Sequence, residues 1–60
     1  MIATTEKEKA YVEALHEMSD KELAMQAAIC VEEMLLNLNS YSVSHMQFIM
    51  DEVYRRWQGR

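Results

Sequence analysis

The sequence predicts an all-α protein: a short N-terminal helix, then an antiparallel helical hairpin, with two copies packing into a bundle. Three observations predict it. Ser19 with Glu22, and Ser44 with Gln47, have the capping-box spacing in which two side chains satisfy each other's free backbone N–H groups. Apolar residues recur three and four positions apart, the period of one helix face. The chain has no proline and a single glycine, Gly59, so nothing in its interior breaks a helix.

The first helix is expected from about Glu6 to Glu17, opened by a weaker capping box of Thr5 and Glu8. Tyr11, Ala14, Leu15 and Met18 form its apolar stripe, with Glu6, Lys7, Lys9, Glu13 and Glu17 in solvent. A helix this short is marginal alone in water, so it must dock. Ser19 starts the second helix, expected from about Asp20 to Leu36 or Leu38, with Met18 and Leu23 spaced as a hydrophobic staple. Leu23, Ala27, Val31 or Cys30, Met34 and Leu38 make one row, and Met25, Ile29 and Leu36 another. A helix apolar around so much of its circumference is expected to be central and contacted from more than one side. Asn37 to Ser42 reads as the connection, rich in residues that compete for backbone hydrogen bonds. The third helix is expected from Ser44 to Gln58, with Val43 and Phe48 as its staple and Gly59 as its stop. Met46, Ile49, Met50, Val53 and Trp57 are its inner stripe, and Asp51–Arg55 and Glu52–Arg56 are spaced as i,i+4 ion pairs.

Sixty residues make one domain, and such a chain hides only about 60% of the surface its unfolded form exposes. One cysteine, Cys30, cannot close an internal disulfide, and Cys30, His16 and His45 have no zinc spacing. Self-association is the remaining aid to stability, and half the residues are hydrophobic, six of them Met. The expected bundle buries Leu23, Ala27, Ile29, Val31, Met34, Leu35, Ile49, Val53 and Trp57 in part across a homodimer or higher oligomer. The net charge of −4 disfavours nucleic-acid binding, which relies on neutralising phosphates. The segment Ser40 to His45 with Gln47 has the polar character of a DNA recognition helix, but no glycine-containing turn precedes it. Residues Met1 to Lys9 lack the apolar core of a secretory signal, and no run is long enough to cross a membrane. The expected location is the cytoplasm.

No chemistry stands out. Glu13 and His16 form a Glu-x-x-His pair of the type used in di-iron bundles, but such pairs arise readily in a Glu-rich chain. His45 is expected at a helix start, Cys30 in the apolar interior, and there is no phosphate loop or nucleophile pattern. No catalytic residue, metal or cofactor is expected. The sequence points instead to a non-enzymatic protein-binding regulator or stoichiometric inhibitor of a bacterial or phage-host target, partnered by itself and by another protein. The candidate contact residues are Met25, Ile29, Leu36, Tyr41, Met46, Phe48, Met50, Tyr54 and Trp57, since Met and aromatic side chains suit adaptable binding surfaces. An alternative is a nucleotide-signal binder using Tyr11, Lys21, Arg55 and Arg56 at a subunit interface.

Met18-Ser19-Asp20 with Glu22-Leu23, then Leu36-Asn37, then Phe48-Ile49 and Glu52 to Arg56, resembles the pattern of the Sda family of small sporulation checkpoint proteins. The resemblance spans Met18 to Arg56. It departs in a longer connection around Asn39 to Ser44 and in the additional N-terminal helix. It implies an antiparallel helical hairpin and inhibition of a histidine kinase.

Overall fold

The computed structural model describes residues 4–59, which form three helices: α1 (Glu6–Glu17), α2 (Asp20–Leu36) and α3 (Ser40–Gln58). No strand occurs among the described residues. Residues 1–3 of the N-terminal segment lie outside them.

Local capping chemistry sets the first two helices. Thr5 Oγ1 accepts from the Glu8 N–H at 3.1 Å, and the Glu8 carboxylate accepts from the Thr5 N–H at 3.0 Å. The Thr4 hydroxyl also donates to Glu8, and these bonds hold the Glu8 carboxyl below its ordinary value. Ser19 and Glu22 repeat the arrangement at 3.1 and 3.3 Å. Between the two helices the chain turns at Met18, whose N–H donates to the Leu15 carbonyl.

The third helix begins four residues before the expected Ser44. Asn39 is its N-cap, with Oδ1 accepting from the Ser42 N–H at 2.9 Å. Asn is among the best N-capping residues, and nothing from Ser40 to Val43 opposes helix. The Ser44–Gln47 pair therefore sits inside α3 and caps nothing, so Val43 and Phe48 are not a staple at its start. The connection shrinks to Asn37–Asn39, and His45 lies beyond the first turn.

The core consists of Leu15 from α1, Leu23 and Cys30 from α2, and Phe48 and Ile49 from α3. Tyr11, Val12, Met18, Ala27, Met34 and Met46 pack against it, partly buried. Helix α3 packs against both other helices, so α3 and not α2 is the central element. Along α1 and its C-cap, Tyr11, His16 and Met18 meet His45, Glu52 and Arg56 in the same chain order. Helix α2 places Leu23, Ala27, Cys30 and Met34 inward, a set spaced at three and four, and leaves most of its remaining apolar residues outside. The Asp20 end of α2 meets Arg56, and Cys30 Sγ donates to the Ser42 carbonyl at 3.3 Å. Burial pushes the Cys30 thiol up, which suits a core residue more than a reactive one.

One burial expectation changes. Phe48, expected at a contact surface, is 3% exposed, because α1 covers the flank of α3 that carries it. Ile29, Val31, Leu35, Val53 and Trp57, expected to be buried in part across a second copy, are exposed within the single chain.

Truncating Ile49 or Leu15 to Ala is expected to cost about 2–4 kcal/mol in urea unfolding, because both side chains are fully enclosed. Leu35→Ala in a dilute, monomeric sample is expected to change stability by less than about 0.5 kcal/mol.

Candidate functional site

Eleven large hydrophobic side chains are exposed among the described residues, whereas five hydrophobic residues form the core. The imbalance is concentrated on α2 and α3. At 3.6 residues per turn, Met25, Ile29 and Leu36 fall on the side of α2 opposite Leu23, Cys30 and Met34. They are 57%, 50% and 79% exposed, and Glu22, Glu32 and Glu33 flank them with negative charge. A second apolar strip occupies the flank of α2 that carries Ala24, Ala28, Val31 and Leu35. It continues onto α3 through Val53 and Trp57, which share a groove of about 260 Å³ with Leu23 and Ala24. Met50 and Tyr54 extend the strip along α3, and both are exposed.

The remaining candidate contact residues are divided. Met46 is half-buried against the core and also lines a shallow groove with Gln47, Met50 and Asp51. Tyr41 lies elsewhere, against His45, with ring centroids 4.1 Å apart. His45 in turn stacks on Tyr11 at 4.1 Å with the rings 12° from parallel. These rings, with Phe48, Lys7, Ser40 and Ser44, line an open groove of about 740 Å³ between the starts of α1 and α3. Burial raises the Tyr11 phenol above its ordinary value, so it stays protonated near neutrality.

Arg55 and Arg56 belong to a different structure, a charged knot around Glu52. The Glu52 carboxylate is 3% exposed and accepts from Arg55 Nη2 at 2.7 Å, from Arg56 Nε at 2.7 Å, and from Arg55 Nε at 3.2 Å. His16 Nδ1 closes on its other oxygen-facing side, through Glu52 Oε1. Arg56 then reaches the α1–α2 corner, donating to the Leu15 and Met18 carbonyls at 2.8 and 2.6 Å and to Asp20 at 3.0 Å. One guanidinium thus links the end of α1, the start of α2 and the buried acid of α3. Hydrogen bonds from Arg55 above all, then from Arg56 and His16, outweigh burial and hold the Glu52 carboxyl at about 2. Among the described residues no buried side-chain polar atom lacks a hydrogen-bond partner.

The knot bears on two sequence features. His16 pairs with Glu52 in place of joining Glu13 in a metal site, and no group of three or more metal-ligating side chains occurs among the described residues. The residues proposed for a nucleotide are also not gathered. Tyr11 meets α3 at His45, whereas Arg56 lies eleven residues on, about 16 Å along the helix. Lys21 is exposed in the first turn of α2. The i,i+4 pattern marked Glu52–Arg56 as an ion pair without indicating that Glu52 is buried. Its burial was signalled by spacing, since Glu52 stands three and four residues after Ile49 and Phe48.

No helix is long and apolar enough to cross a membrane among the described residues. No family model, curated protein or solved structure matches the chain.

Glu52→Gln is expected to destabilise the fold by about 2–4 kcal/mol, because it leaves the two guanidinium groups without their shared anion. The native Glu52 contribution is complete above the ordinary carboxyl value of 4.5 and is lost as pH falls toward about 2. In that window the unfolded chain binds the extra proton, so stability rises with pH. Urea midpoints of the two proteins measured across it should therefore converge as the pH drops.

Proposed function

We propose that this chain is a non-catalytic protein-binding regulator: an antiparallel α2–α3 hairpin, braced by α1, that self-associates and presents an apolar surface to a second protein. One observation carries the reading: more large apolar side chains lie outside than inside, and ten of the eleven exposed ones are grouped on two helices. Contiguous exposed apolar surface of this kind marks an interaction site in soluble proteins. The Asp20–Arg56 and Cys30–Ser42 contacts support the hairpin, since residues early in α2 meet residues late in α3 and the reverse. The outer row of Met25, Ile29 and Leu36 with its acidic margin suits a target that offers an apolar groove edged by Lys or Arg. Met25 adds adaptability, because an unbranched thioether fills irregular surfaces. His16, Glu52, Arg55 and Arg56 are engaged in the knot, and Thr5, Glu8, Ser19, Glu22 and Asn39 in helix caps, where they hold the fold.

Ile29→Glu combined with Leu36→Glu is expected to leave helicity unchanged, because both side chains stand in solvent. A target protein retained by the immobilised chain from bacterial extract should be lost with this variant. Retention that is unchanged, or a thermal stabilisation of several degrees by a nucleotide with no protein retained, contradicts the reading.

A further inference from the structure

The outer row of α2 does not account for the second strip, formed by Ala24, Ala28, Val31 and Leu35 together with Val53 and Trp57 of α3. We propose that this strip is covered by a second copy of the chain, with the two α2 helices running antiparallel and crossing between Ala24 and Ala28. The inference rests on the reading of α2 and α3 as a contact surface, and it names the occupant of one part of that surface.

Three features of the strip favour a second copy. The first is size. Val31, Leu35, Val53 and Trp57 are 42%, 81%, 40% and 67% exposed, with Met50 at 51% and Tyr54 at 58% beside them. Together they offer several hundred Å² of apolar surface on one protomer, of the order of the roughly 800 Å² per partner of a standard-size interface. The second feature is shape. Ala24 and Ala28 keep the middle of the strip low, so two helix axes approach to about 8 Å, the close end of the usual range. The bulky residues lie toward opposite ends. Trp57 and Val53 sit beside Ala24, near the start of α2, whereas Val31 and Leu35 lie toward its end. An antiparallel crossing therefore sets the partner copy's Val31 and Leu35 against Trp57 and Val53, twice by symmetry.

The third feature is charge. Lys21 and Glu32 occupy the same margin of the strip, on the side away from α3. A two-fold axis through the Ala24–Ala28 crossing keeps each margin facing its own counterpart and reverses its direction. Lys21 then meets the partner copy's Glu32, and Glu32 meets the partner copy's Lys21. In a parallel pairing each Lys21–Glu32 margin would face the partner copy's opposite margin, the one that adjoins α3, and both contacts would be lost. The resulting dimer is a four-helix layer of both α2 and both α3 helices, with α1 of each copy outside, and it leaves Ile29 and Leu36 exposed for another protein.

Sedimentation of the full chain at low ionic strength tests the pairing. The native protein is expected at twice its 7.1 kDa mass in the micromolar range, and Ala28→Glu, which stands in solvent in the single chain, is expected to be monomeric with unchanged helicity. Lys21→Glu and Glu32→Lys should each weaken the dimer about tenfold, and the double exchange should restore it to within about threefold. A native monomer at 100 μM (about the top of a useful range), a dimer that survives Ala28→Glu, or a double exchange no stronger than the singles would overturn the pairing. If the monomer still loses its target on Ile29→Glu with Leu36→Glu, only the pairing fails. If target binding is also absent, the contact-surface reading fails with it.

Discussion

The structure depends on a shortage of covered surface. Three short helices around five buried hydrophobic residues make a small core, and a chain of this length has little stability to spare. Because α3 packs on both α1 and α2, the bundle closes on one side of α3 and stays open on the other. That asymmetry leaves Val53 and Trp57 at an edge and gives α2 one covered face. The exposed apolar residues are thus a consequence of the arrangement of three helices and not scattered substitutions.

The Glu52 knot offsets part of that shortage. A buried carboxylate alone is costly, but here two guanidinium groups and an imidazole surround it, and the second arm of Arg56 satisfies carbonyls at the end of α1. The carbonyls of a helix end are groups that need partners, and a cation there also suits the helix dipole. The knot therefore fixes the direction in which α1 leaves and α2 begins. It orients both helices against α3 with few apolar contacts. Asp20 and Arg56 also line the groove that Leu23, Ala24, Val53 and Trp57 share, so the knot borders one end of the apolar strip.

Most of the fold was legible locally, and the parts that were not are instructive. The capping pairs Thr5–Glu8 and Ser19–Glu22 placed two helices because each is a short-range geometric requirement met by adjacent residues. Ser44–Gln47 met the same pattern and misled, since Asn39 offers a competent cap further upstream and a box inside a helix has no free N–H groups to satisfy. The central role given to α2 failed for a related reason. An all-round apolar helix signals cover from several sides, but it does not say whether the cover comes from the same chain. Phe48 shows the converse: it lay off the expected stripe of α3, yet α3 is packed on two sides and its inner surface is wider than one stripe. Of the candidate contact residues, Met25, Ile29, Leu36, Tyr41, Met50, Tyr54 and Trp57 are exposed, although periodicity had set Met50 and Trp57 on the inner stripe of α3 and Tyr41 in the connection. The knot was hidden because it joins residues thirty-six and more positions apart.

In the proposed reading, self-covering and target binding use different sides of α2, so the same helix would serve both stability and recognition. Hydrogen–deuterium exchange of the α2 amides as a function of protein concentration tests this most directly. If α2 is covered by another copy, exchange of the amides around Ala24 to Leu35 slows as concentration rises, while those of α1 change little. Exchange along α2 that is the same in dilute and concentrated samples would contradict the account.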